Sequence, residues 1–282
     1  MDTPLLERGV RGAYRAIPSW SRALARRTHV WSWIVAAALV GGWQGLANAN
    51  SGISHLLSSP VLVVERLVTI GANGTLWQDT LPTIEETLGG LALGVLVGTI
   101  GGIWIASSTG AGRIIDPYLV GFNGLPKVAL APFFVVWFGI GLLSKMLLAV
   151  SIVFVVVLFN VREGMESIDH ELVDALRSMH ARRRDVLRYV IAPSLAPWLL
   201  SSVKVGIGLA LTGAVVGELA GAASGLGYYI TYSLTELDMT GAMAALVVLA
   251  ALSVIMYDIV LVVERRVLRW RSMSDTRQRH SS

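Results

Sequence analysis

Three lysines, five histidines and a scatter of carboxylates are the side chains from which this sequence could build chemistry, because it contains no cysteine. Disulfides, thiolate metal sites and cysteine nucleophiles are therefore excluded. His29, His55, His170, His180 and His280 all lie outside the centres of the apolar runs. None is spaced with acids as a metal site requires, so neither a metal centre nor a histidine-dependent hydrolase is expected. A phosphate-binding loop needs Gly-Lys followed by Ser or Thr. Lys127, Lys145 and Lys204 instead follow Pro126, Ser144 and Val203. What remains is charge placed where charge is costly. Lys204 lies well inside an apolar run, Lys127 follows a proline break, and Glu218 sits near the far end of the run that holds Lys204. Ionisable groups within spans mark pathways by default, but long cationic side chains also snorkel to the interface. Both readings stay open for Lys204, and snorkelling is favoured for Lys127. Glu218 is expected to bond to the glycine-rich turn after it or to line an outer gate.

The elements that must position these groups are membrane helices. Charged residues make up 15% of the chain, against about 25% in an average soluble domain. The apolar residues gather in runs near the length of about 20 residues that crosses a bilayer. The expected fold class is an all-α membrane protein with about six transmembrane helices, near residues 30–47, 88–106, 116–140, 145–161, 195–220 and 242–263. The transmembrane domain is set at 29–266, between a basic tail at 1–28 and another at 267–282. Ala47-Asn48-Ala49 looks like a signal-peptide cleavage site. The run before it exceeds the usual 7–15 apolar residues of a signal core, which favours an uncleaved anchor. The N-terminal tail could lie on the membrane as an amphipathic helix or be flexible.

Two stripes of small residues mark helix contacts. Gly90, Gly94, Gly98 and Gly102 recur every four residues, as do Gly213 and Gly217. That spacing places each set on one helix face, where a neighbouring backbone can approach closely. The third span is interrupted at Gly124-Leu125-Pro126-Lys127, because proline removes a backbone donor and kinks a helix.

Arginines set the expected orientation. Arg113, both tails and the polar segment 162–190 carry nearly all of them, and the opposite segments hold only Arg66 and Lys145. By the positive-inside rule both termini are cytoplasmic. The formal charge of +4 therefore reflects topology and anionic lipid rather than nucleic acid. Carboxylates look sparse within the spans and no repeat relates the two halves, which disfavours a proton-coupled secondary transporter. Between Glu171 and Val190, the apolar residues Leu172, Ala175, Leu176, Met179, Val186, Leu187 and Val190 recur at three- and four-residue steps, interrupted near His180 to Arg184. One or two short amphipathic surface helices are expected there.

The stretch Asp174 to Pro193, DALRSMHARRRDVLRYVIAP, resembles the EAA loop of bacterial ABC importer permeases. Asp174, Ala175 and Leu176 stand in the Glu-Ala-Ala places, His180 stands where the family usually has glycine, and Pro193 is the closing proline. Leu125 to Lys145, Asp116-Pro117, and Glu218 with Gly225-Leu226-Gly227-Tyr228 resemble the nitrate, sulfonate and taurine permeases of the type I, binding-protein-dependent class. The resemblance implies the type I importer permease fold in a bacterial inner membrane. It further implies a permease homodimer, cytoplasmic ABC ATPase subunits that hold ATP and Mg, and an extracytoplasmic solute-binding protein, with no cofactor on this chain. It implies a coupling helix built from Glu171, Asp174, Ala175, Leu176, Met179 and His180. The solute it implies is a small anion; permeases for bicarbonate and vitamin precursors belong to the same subfamily.

Overall fold

A computed structural model describes residues 34–35, 37–48, 58–108 and 110–268. The tail expected at 1–28, the Ala47–Ala49 junction beyond Asn48, and residues 269–282 lie outside these. The chain falls into two units, one ending at Leu62 and one beginning at Val63. In the first, residues 37–48 are helical (α1), and the Trp43 indole donates to the Ser58 carbonyl at 3.1 Å.

The second unit is a helical bundle, in keeping with the expected fold class. After α2 (Pro60–Ala72) come α3 (Thr75–Ala106), α4 (Ala111–Gly124), α5 (Ala131–Phe138), α6 (Leu142–Glu166), α7 (His170–Ser178), α8 (Arg183–Val186), α9 (Ala192–Ala220), α10 (Leu226–Thr235) and α11 (Met239–Val267). A π turn at Leu187–Ile191 joins α8 to α9, so helix runs from Arg183 to Ala220. Among the described residues, α3, α6, this long helix and α11 are long and apolar enough to cross a membrane. The pair α4 and α5, bent by 82° across a short 3₁₀ turn at Lys127–Leu130, makes a fifth, broken span.

Helix α6 is the axis of the bundle. Leu148, Ala149, Val153, Val157 and Val161 are all buried along it. Helix α3 runs beside it in the same direction, and the glycine stripe sets the register: Gly90 faces Ala149, Gly94 Val153, Gly98 Val157 and Gly102 Val161. Backbones meet here without intervening side chains. A Cβ at Gly98 would lie 2.6 Å from the Phe154 carbonyl oxygen, inside any permitted contact. Helix α9 runs the opposite way along α6, with Gly206 against Val153, Gly213 against Ala149 and Gly217 against Lys145. Helices α10 and α11 close the core with Leu226, Ile230, Ala245, Leu249 and Leu252.

Three expected boundaries move. Residues 48–86, expected only to link the first two spans, instead contribute α2 and the first three turns of α3, which pass through Pro82 without ending. Polar residues there suggest the end of a span, but tertiary partners satisfy them. The fifth span begins at Arg183 rather than Leu195, and α6 extends to Glu166, so the 162–190 loop shrinks to residues 167–182. Pro193 lacks the N–H that a regular helix would use. Just ahead of it the helix widens into the π turn, where the Ala192 N–H reaches back to the Leu187 carbonyl. The outward segment 221–240 also contains a helix, α10.

Candidate functional site

Polar chemistry collects at the two ends of α6. At the Lys145 end, α3, α6, α9 and α10 converge on a buried cluster. Gly225 takes φ +116°, a backbone region natural only to glycine. That turn presents three successive N–H groups at the start of α10. Gly225 N donates to Asp79 Oδ1 at 3.1 Å, Leu226 N to Thr83 Oγ1 at 2.9 Å, and Gly227 N to Glu218 Oε2 at 2.6 Å. Thr83 Oγ1 donates in turn to Glu218 Oε1 at 2.6 Å. The first N–H groups of a helix have no partner within it, and two carboxylates and a hydroxyl from other helices satisfy them here. Glu86 stands beside Glu218 and 3.5 Å from Lys145 Nζ. Lys145 Nζ also donates to the Ile140 carbonyl at 2.7 Å, holding the turn between α5 and α6. Glu86 is 2% exposed and Lys145 4%.

The expectation that spans carry few carboxylates is therefore corrected. Asp79, Glu86 and Glu218 are all buried in long apolar helices. The same holds for Lys145, expected at the outward-facing start of the fourth span. Glu218 meets the glycine turn directly. Asp79, Thr83, Glu86 and Lys145 escaped the sequence reading. A signal for them existed in Asp79, Thr83 and Glu86, whose three- and four-residue steps place them on one face of a helix.

The opposite end carries α7. Asp169 caps it, its side chain accepting from Glu171 N at 2.8 Å. Glu171 in the first turn and Arg177 in the last suit the helix dipole. The helix closes with the His180 N–H on the Arg177 carbonyl at 2.9 Å and the Ala181 N–H on the Leu176 carbonyl at 3.1 Å. This Schellman arrangement requires a left-handed residue just past the helix, usually glycine. His180 supplies it at φ +59°, the position where the resemblance implies glycine. Asp174 and Ala175 are exposed and Leu176 is half-buried. Leu172 and Met179 are 55% and 77% exposed, leaving apolar surface open on a helix whose charged residues face water. Pro193 lies outside α7, in the first turn of α9.

Three further cations have partners. Lys204 Nζ contacts Glu264 Oε1 of α11 at 2.9 Å. Lys127 Nζ donates to the Asn123 carbonyl at 3.2 Å and lies 5.5 Å from the Phe122 ring centre. Arg162 pairs with Asp116 and Glu166. With Lys145 and Lys204 each beside a carboxylate, the two lysines do not form a free positive field in the bundle. Among the described residues, no group of three or more His, Asp or Glu is arranged to hold a metal ion.

The profile of the family described as "Binding-protein-dependent transport system inner membrane component" matches residues 90–269. The riboflavin transport system permease protein RibX of Chloroflexus aurantiacus is 35% identical over 230 residues, covering 82% of this chain and 86% of that protein. The formylaminopyrimidine transport permease protein ThiX of Halalkalibacterium halodurans is 31% identical, with 78% and 88% covered. The taurine transport system permease protein TauC of Escherichia coli is 29% identical, with 83% and 87% covered. Among solved structures, an inward-facing form of the MetNI methionine ABC transporter aligns with a TM-score of 0.58 at 21% identity, covering 66% of this chain and 93% of that one.

Proposed function

This chain belongs to the family of binding-protein-dependent transport system inner membrane components, and we propose that it is the permease whose α7 receives the force of a separate ATPase and whose helices form the path for a small organic solute. It is a multi-pass subunit of an ABC importer. The observation that carries the coupling reading is α7 itself, a capped amphipathic helix standing off the bundle with Leu172 and Met179 exposed. Such a face in water is a partner surface. In this reading, Glu171, Asp174, Ala175, Leu176, Met179 and His180 meet a cytoplasmic ATPase that holds ATP and Mg. A secreted binding protein delivers solute to the Lys145 end. Two copies of the permease pair around the pathway, and both chain termini lie in the cytoplasm. Arginines near the membrane surface add attraction to anionic lipid of about 1 kcal/mol each.

For the solute, nitrogen heteroaromatics of the vitamin-precursor kind are the favoured class. Two relatives above 30% identity carry such names, and both lysines named above have carboxylate partners. A sulfonate is the second reading, supported by the relatives named for taurine and aliphatic sulfonates at 29% and 27% identity.

The test begins with the complex isolated through a tag on this chain. An ATP-hydrolysing subunit is expected to come with it, and its absence would remove the coupling reading. Ala175→Arg places a long charged side chain on the exposed face. It is expected to leave membrane insertion intact while lowering ATP-dependent uptake at least tenfold. Unchanged uptake would place the ATPase contact elsewhere. Competition of riboflavin and of taurine for uptake driven by the complex separates the two solute classes.

A further inference from the structure

Helix α4 is an arm held to the bundle at few points. From Arg113 to Gly124 its side chains are exposed or half-buried, with Tyr118 75% and Val120 65% exposed. Two contacts with α6 fasten it. Near its C-terminal end, the Phe122 ring lies 5.4 Å from that of Phe154. In its second turn, Asp116 is ion-paired with Arg162. The Arg162 guanidinium has a second partner, because its Nε donates to Glu166 Oε1 at 2.9 Å. Glu166 is the last residue of α6, three residues before the Asp169 that caps α7. One planar cation therefore joins the middle of the arm to the root of α7. A guanidinium fork holds two carboxylates in fixed directions, which a lysine ammonium does not.

The surrounding packing makes this a mechanical junction. Gly164 lies under Leu195 and Trp198 of α9, where an added Cβ would be 2.8 Å from the indole, and Ile168 is buried. The last turn of α6 is thus locked to α9 on one side and reaches α4 through polar bonds on the other. This turn is one of two routes by which displacement of α7 enters the bundle, the other being the tight turn at 179–182 that leads into α8. The arm it meets there continues across the 82° bend into α5, whose C-terminal side is held by Lys145 through the Ile140 carbonyl.

We infer that Arg162 is a positioning residue that transmits movement of α7 to the broken span α4–α5 through its paired bonds to Glu166 and Asp116. This rests on the reading of α7 as the ATPase contact. The chain has no native cysteine, so Tyr118→Cys on α4 and Ser201→Cys on α9, both at exposed positions, can carry spin labels in the tagged complex. The α4–α9 distance is measured without nucleotide and with ATP plus vanadate.

The unaltered complex is expected to change this distance on trapping. In Arg162→Gln and in Asp116→Asn the change is expected to fall at least twofold, while ATP hydrolysis stays within twofold. Persistence of the full change in both single variants would overturn the inference. So would an unaltered complex whose α4–α9 distance ignores nucleotide, and so would loss of the ATPase from Arg162→Gln, which would make the residue structural. If the unaltered complex carries no ATPase, the reading of α7 fails and this inference falls with it. An ATPase present beside indifferent variants overturns this inference alone.

Discussion

The two ends of α6 solve opposite problems. At the Lys145 end, charges are buried, come from four helices and close a helix terminus with Asp79, Thr83 and Glu218. Toward the Arg162 end, charges are only partly buried: Arg162 bonds both Asp116 and Glu166, and from midway along the bundle Lys204 reaches Glu264. The side chains of Lys204 and Glu264 are 23% and 22% exposed, against 4% and 2% for Lys145 and Glu86. Removing one partner of a buried pair strands the other charge in a medium that cannot solvate it, which costs about 3–5 kcal/mol. A solvated pair contributes about 0–1 kcal/mol and can break and re-form. One end is therefore built to stay and the other can move, as expected where an outside motor acts on one side of a bundle.

The contrast can be broken by single substitutions. Lys145→Met should have the largest effect. It leaves Glu86 without its ammonium and the Ile140 carbonyl without its donor, so a loss of about 3–5 kcal/mol should appear as a sharply lowered melting temperature in detergent. A variant that melts normally would mean that the cluster is hydrated and not a buried anchor. Thr83→Val removes the hydroxyl that serves both Glu218 and the Leu226 N–H. A loss of about 1–3 kcal/mol is expected, read by faster hydrogen exchange at the start of α10. Toward the other end, Lys204→Gln should cost no more than about 1 kcal/mol. A melting shift matching that of Lys145→Met would erase the distinction between the ends. The smallest effect should be a gain. His180→Gly relieves a left-handed backbone that costs an ordinary residue about 1–2 kcal/mol, of which glycine's greater freedom in the unfolded chain takes back about 0.5–1 kcal/mol, so thermal stability should rise slightly. A fall would mean that the imidazole itself makes a contact worth more than the strain.

Legibility followed the same division. Spans and glycine stripes could be read because hydropathy and a four-residue repeat are local properties of the chain. The break at Pro126 was legible because it is one residue's backbone preference, and the interruption after Met179 because the apolar repeat lapses there. Helix α3 was read too short, because Asp79, Thr83 and Glu86 look like the polar edge of a span until their partners on α9 and α10 are known. Lys145 was placed at the outward start of the fourth span without a partner, because Glu86 lies 59 residues earlier in the chain. The loop at 162–190 was drawn too long, because Arg183 to Val190 is polar enough to pass for loop yet continues a helix into α9.

By itself the sequence determined that this protein lives in a membrane, where most of its long apolar helices lie, and which helix faces can meet closely, because these depend on composition and on periods of three and four. Which charges are partnered was decided only by the tertiary structure. Lys204 found Glu264 at a separation of 60 residues and Thr83 found Glu218 at 135. No local pattern encodes such a meeting. It arises when the glycine faces bring α3, α6 and α9 together and leave their polar residues one another as the available partners.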